Sequence, residues 1–200
     1  MNILSEEADF IRELQSGHPP AFEILVEKYQ QRIYNTCYSF LKNGTLAEDQ
    51  TQEVFIAIFN SINNFEQQSS LATWIYRIAI SSCLDALRAQ QTKKRKSSGI
   101  MSIFSVQDSI PAKDQLNPYE HLENKEYALI IATSLDKMPD KYKTVFVLKY
   151  MEAKSQKEIA LIMDITEKAV EGILTRSKAI LKEEISKFYP EMREKGKKRD

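Results

Sequence analysis

The sequence predicts an all-α protein of two small helical domains joined by a flexible linker, and three observations carry that expectation. Five glycines and six prolines in 200 residues leave too little turn chemistry for a sheet-rich fold. Apolar residues recur at three- and four-residue spacing through most of the chain, the period of one buried helix face. Between those stretches stand pairs such as Thr45 with Glu48 and Ser155 with Glu158, in which a hydroxyl and a carboxylate three residues apart satisfy each other's backbone amides at a helix start. A hydrophobic content of 42% is enough to bury one large or two modest cores.

From about Glu6 to Phe40 the chain holds a short stripe, Phe10, Ile11 and Leu14, and a longer one, Phe22, Leu25, Val26, Tyr29, Ile33 and Tyr34, separated by His18, Pro19 and Pro20. Asn43 and Gly44 should stop the helix that ends near Leu41. Thr45 and Glu48 should open the next, through about Asn60, with Val54, Phe55, Ile58 and Phe59 as its core face. Asp49, Gln52 and Glu53 share an exposed strip of that helix at i, i+3, i+4 spacing. Polar residues 61–70 read as a loop. Leu71 to about Gln91 predicts a long helix with Leu71, Trp74, Ile75 and Ile78 on one stripe and Thr73, Arg77, Ser81, Leu84 and Arg88 on another, running into Lys93, Lys94, Arg95 and Lys96. Aromatic residues beside a basic helix end suit a grip on a phosphate backbone with stacked or extruded bases. A Trp74 held in an ordinary core is the plainer alternative.

Periodicity lapses from Ser97 to about Pro118, a linker by its breakers Ser97, Ser98, Gly99, Pro111, Asn117 and Pro118, though Ile100, Met101, Ile103, Phe104 and Val106 make it more than a spacer. Helices are expected from about Tyr119 to Lys137 and from Pro139, which suits a first helical turn, to about Met151. The domains are thus placed at 1–96 and 119–190, the linker at 97–118, and a basic tail at 191–200 is expected to be disordered.

The most telling segment is Ser155 to Ile180. A helix opened by the Ser155 and Glu158 pair turns Ile159, Ala160 and Met163 inward. Asp164 falls where a turn needs a left-handed residue, and Thr166 can cap a second helix that buries Val170, Ile173 and Leu174. Small Ala160 permits two helices to cross steeply. That is helix-turn-helix spacing, and it leaves Glu167, Lys168, Glu171, Gly172, Thr175 and Arg176 pointing outward, where such helices reach base edges and phosphates. The competing reading is a helical hairpin in an all-α core with a solvated charged face.

The formal net charge is zero, but unevenly spread: minus six over residues 1–85, plus five over 86–107, minus four over 108–136 and plus five over 137–200. Phosphates sense such local patches within a Debye length of roughly 8 Å. No apolar run approaches the roughly 18 to 20 residues that span a bilayer, and Glu6, Glu7 and Asp9 are unlike the basic start of a signal peptide, so a cytoplasmic protein is expected. Cys37 and Cys83 stand apart, as do His18 and His121, so buried reduced thiols are expected rather than a disulfide or metal site. No nucleotide loop, nucleophile elbow or metal constellation is present in the sequence; neither cofactor nor metal nor small-molecule substrate is expected.

The stretch from Ala47 to Phe55 and that from Thr73 to Ala79, with Asp85 and Arg88, strongly resemble region 2 of extracytoplasmic function sigma factors, the promoter-specificity subunits of bacterial RNA polymerase. Met138 to Phe146, Ser155 to Ala160 and Lys168 to Gly172 resemble region 4 of the same family. The resemblance implies docking of Asp49, Gln52 and Glu53 on the β′ clamp helices of core polymerase. It implies contact of Asn64, Phe65, Trp74, Arg77, Ser81, Arg88, Lys93 and Lys94 with a melted minus-ten element. Thr166, Lys168, Glu171, Gly172, Thr175, Arg176 and Lys178 would meet a minus-thirty-five element, with a flank of region 4 on the β flap and the linker threading the polymerase cleft. An anti-sigma protein is implied as a further partner. The chain departs from the family pattern at Ile80 and Ser81, where Arg and Asn are common, at Asp164, usually glycine, and at Glu171 to Ile173, a stretch often richer in Arg and Ser. The implied function is non-enzymatic promoter recognition and transcription initiation. A stand-alone helix-turn-helix regulator with an N-terminal sensing domain is the alternative, distinguished by whether core polymerase is required.

Overall fold

In the computed structural model, which describes residues 3–96 and 130–189, every regular element is helical among the described residues, and the chain divides into two compact units. The first contains α1 (Ile3–Gln15), α2 (Pro19–Leu41), α3 (Gly44–Ser61), a single 3-10 turn (Ile62–Asn64) and α4 (Leu71–Lys96). Helices α2, α3 and α4 pack on one another around Leu25, Ile33, Val54, Ile58, Ile75 and Tyr76, all fully buried. Each such side chain removed from water contributes about 1.5–3 kcal/mol. Ile11 and Leu14 of α1 are buried as well, and the Gln15 amide donates to the Ile62 and Phe65 carbonyls at 3.1 Å each, tying the first helix to the connection before α4.

Helix boundaries and burial follow local chemistry, with several departures from expectation. Helix α2 does stop at Leu41, but Lys42 takes the left-handed conformation that ends it (φ 54°). Asn43, rather than Thr45, caps α3: its side chain accepts from Leu46 N at 2.9 Å, because an Asx side chain one position ahead of the first helical residue outcompetes a hydroxyl already inside the first turn. Phe59, expected in the core, is 55% exposed and lies edge-to-face with Phe22, ring centroids 5.2 Å apart. Thr73, placed by the sequence on the stripe of Arg77 and Arg88, is buried, its hydroxyl 2.9 Å from that of Ser70, which accepts from Thr73 N at the start of α4.

The second unit carries α5, described over 130–136, then α6 (Asp140–Tyr150), the start of α7 (Gln156–Met163) and α8 (Glu167–Ile185). Pro139 stands at the N-cap of α6 rather than inside its first turn. The expected start of α5 near Tyr119, the linker and the basic tail lie outside the described residues. Val145, Val147, Leu148, Ile159 and Val170 form the buried centre. Polar ties fix the helices: the buried Ser177 hydroxyl of α8 donates to the Tyr142 carbonyl of α6 at 3.1 Å, Lys137 meets Glu184 at 3.3 Å, and buried Lys143 pairs with Asp136 at 2.9 Å.

Candidate functional site

The helix-turn-helix is assembled by its caps. Ser155 N donates to Glu158 Oε2 at 2.8 Å, and Glu158 N to Ser155 Oγ at 3.2 Å, the reciprocal box that the spacing predicts. Burial alone would favour the neutral form of Glu158, but hydrogen bonds from the Ser155 hydroxyl and amide, with the charges of Lys154 and Lys149, hold its carboxyl below the usual range. Asp164 adopts φ 53°, the left-handed turn in which a short polar side chain substitutes for glycine. The Thr166 hydroxyl then accepts from Ala169 N at 3.2 Å. Ile159, Ala160, Val170, Ile173 and Leu174 turn inward as expected, while Met163 is half-buried. Glu167, Lys168, Glu171, Gly172, Thr175, Arg176 and Lys178 are all exposed along α8. Stepping 100° per residue, Lys168, Gly172 and Thr175 lie nearest the point opposite the buried face, with Glu171 and Arg176 on either flank. Lys178 also lies 5.7 Å from the Tyr150 ring, which packs on Phe146.

In the first unit α3 exposes Asp49, Gln52 and Glu53, and no described side chain engages them. Leu46 and Ile56, three residues before and seven after Asp49, continue the strip at 42% and 52% exposure. Helical stepping from Asp49 would have found both, had apolar residues been sought on an outward face.

Helix α4 brings Arg77, Ser81 and Arg88 to one outward face, and Trp74, which the sequence groups instead with Leu71, Ile75 and Ile78, lies at its edge, all four within about 60° by helical stepping. The two arginines and Ser81 are exposed; Trp74 is half-buried. Asn64 is exposed on the 3-10 turn. Phe65 is placed differently: only 5% exposed, it packs against Trp74 with ring centroids 5.0 Å apart, so it backs the tryptophan rather than standing free. Arg88 reaches Asp85 at 2.7 Å across solvent. Lys93 and Lys94 continue the helical backbone of α4, their side chains lying outside the described residues. Ile80, at the position where Arg is common in the family, is 3% exposed and belongs to the core. No group of three or more His, Cys, Asp or Glu among the described residues could hold a metal, and no described helix is long and apolar enough to cross a membrane.

A helix-turn-helix with a free, partly cationic outer helix face makes this an all-α DNA-binding protein. The family model described as Sigma-70 region 2 matches residues 25–93, and that described as Sigma-70, region 4 matches residues 128–181. The chain is 30% identical to the ECF RNA polymerase sigma factor SigW of Bacillus subtilis (strain 168) over 177 residues, 88% of this chain and 94% of that protein. It is 28% identical to the RNA polymerase sigma-H factor of Pseudomonas aeruginosa over 80% of this chain and 85% of that one. Among solved structures, the sigma factor RpoE from Bartonella quintana, in complex with the anti-sigma factor NepR, shares the fold with a TM-score of 0.66 at 15% identity, covering 82% of this chain and 96% of that one. CnrH, in complex with the cytosolic domain of CnrY, does so with a TM-score of 0.63 at 22% identity, covering 88% and 94%. The chain belongs to the extracytoplasmic function sigma factors, which bind core RNA polymerase and direct promoter recognition and transcription initiation.

Proposed function

We propose that this sigma factor divides its work between two surfaces: residues 1–96 dock on core polymerase and engage the melted minus-ten element, and residues 119–190 read the minus-thirty-five element. The observation that carries the division is the chemistry of two exposed helix faces. The α3 strip is acidic with apolar ends, and α3 contains no Lys or Arg; it suits the basic surface of a coiled coil, such as the β′ clamp helices, and would repel phosphate. The outward face of α8 carries Lys168 and Arg176 and suits a DNA groove. On α4, Trp74 backed by Phe65 offers a ring surface for an unstacked base, with Arg77 and Arg88 placed for phosphates, while the flank of the second unit meets the β flap. The protein carries out no bond chemistry and works in the cytoplasm. An anti-sigma protein holds it inactive, a reading supported by the anti-sigma partner named for the structurally similar sigma factor RpoE.

Transcription in vitro by bacterial core polymerase, with and without the protein, on fragments of the source genome tests this reading. Discrete starts that require the protein and share two upstream elements are expected. A tight, saturable complex of the protein alone with duplex DNA at physiological salt, without such starts, would make it a conventional regulator.

A further inference from the structure

On the outward face of α8, Gly172 is a residue the fold does not need. It lies inside a 19-residue helix, where glycine is less favourable than alanine. A turn is not the reason, since Gly172 is absent from the positive-φ residues. Packing within the protein is not the reason either: a Cβ built there meets nothing within 4 Å. What glycine leaves open is the space outside the helix, in the middle of the strip between Lys168 and Thr175.

Its neighbour, Glu171, is exposed, and its carboxylate has no described partner. The Thr175 hydroxyl donates at 3.0 Å to the main-chain carbonyl of Glu171, not to the carboxylate. A bare carboxylate turned toward duplex DNA is repelled by two rows of phosphates unless it accepts a hydrogen bond. In the major groove only cytosine N4 and adenine N6 donate; guanine and thymine edges offer acceptors and a methyl group. Adenine sets its N7 acceptor beside the amine, against the second carboxylate oxygen, whereas cytosine presents the amine alone.

We infer that Glu171 and Gly172 together determine specificity in the upstream element: Glu171 accepts from the N4 amine of one cytosine, and Gly172 supplies the clearance that lets the helix approach closely enough for it to do so. The inference rests on the initiation reading above. Glu171 is then the residue that rejects the other three bases at one position, and Lys168, three residues earlier on the adjoining part of the helix face, offsets its charge against the backbone.

The test uses the full chain with core polymerase on a promoter whose upstream element is randomised, comparing wild type, Glu171→Ala and Gly172→Ala, with Tm measured for each. Wild type should favour cytosine at one position roughly tenfold or more. Glu171→Ala should erase the preference there and keep it elsewhere. Gly172→Ala should raise Tm by a few degrees while weakening use of the upstream element several-fold. A Glu171→Ala profile identical to wild type, or a Gly172→Ala protein that is more stable and equally active on every sequence, overturns the inference while leaving the initiation reading intact. Failure of the initiation reading looks different: the wild type itself then shows no upstream preference with core, and the inference falls with it.

Discussion

Helices α3 and α8 each turn a long face away from their own core, and the two faces have different chemistry. The outward strip of α3 combines Asp49, Gln52 and Glu53 with exposed Leu46 and Ile56; no large exposed apolar residue occurs between Glu167 and Ile185. The α8 face instead centres on Lys168, Gly172 and Thr175 and is flanked by both charge signs. Aliphatic side chains such as Leu46 and Ile56 suit burial against another protein surface, whereas short and cationic ones fit a hydrated, polyanionic groove. One fold class thus supplies two kinds of recognition surface, told apart by what each outward position carries rather than by helicity.

The largest effect should come from inverting the first face. Asp49→Lys with Glu53→Lys is expected to weaken binding to core polymerase by at least tenfold, since like charges opposed across an interface cost several kcal/mol. Both positions are exposed, so Tm and helicity should hardly move. Affinity for core equal to wild type would remove the α3 strip from the docking surface.

Next in size is the cap that positions the second face. Ser155→Ala removes both the hydroxyl acceptor at Glu158 N and a donor to its carboxylate, and should cost about 1 kcal/mol of stability. The pH dependence follows from the lowered pKa of Glu158. A carboxyl whose folded pKa is depressed contributes stability that is present above its unfolded value, near 4.3, and is lost as pH falls through the lower folded one. Melting curves from pH 7 down to 3 should therefore show a loss at the acid end that is smaller in Ser155→Ala. Parallel pH profiles for the two proteins would mean the box contributes no linked stability.

The helix-turn-helix was legible because its signals are local: cap, turn residue and inward positions all fall within 26 residues, and Ser155, Asp164 and Thr166 each adopt the expected geometry. The outward placement of the α8 residues followed from the same register. What escaped depended on distance or on competition. Cys37 and Cys83, 46 residues apart in sequence, are both buried with their sulfurs at 3.4 Å, a pairing that spacing could not announce. The hydrogen bond that Cys83 donates to Cys37, together with burial, pushes the Cys83 thiol up, and both cysteines are the buried free thiols expected. Periodicity included Phe59 among core residues, but it is exposed beside Phe22 while Ile58 and Ile62, on either side of it in the chain, are buried. Phe65, within an otherwise polar segment, gave no sign that it would stack beneath Trp74.

A smaller effect separates phosphate contact from base reading on α8. Arg176 is exposed and makes no ion pair among the described residues. If it neutralises one phosphate, Arg176→Ala should lower promoter affinity across all sequence variants and reduce the slope of log K against log salt by about one unit. Titrations of holoenzyme on several promoters at different salt concentrations give that slope. A loss confined to one base position would instead make Arg176 a reader of sequence.

The smallest effect belongs to α4, where the comparison between faces becomes a question about one residue. Arg88 lies on the outward face with Arg77, yet holds Asp85 at 2.7 Å with both side chains more than 60% exposed. A pair so open to solvent contributes only about 0–1 kcal/mol, so Asp85→Asn should change stability by about 0.5 kcal/mol or less. The same substitution removes a negative charge three residues from Arg88 and frees its guanidinium for phosphate. Promoter affinity should therefore rise modestly at low salt, with the gain fading as salt screens the added attraction. Stability and affinity move independently in that prediction. A substantial fall in Tm would make Asp85 a structural partner of Arg88, whereas unchanged affinity at every salt concentration would put Arg88 outside the reach of DNA and leave α4 to its tryptophan.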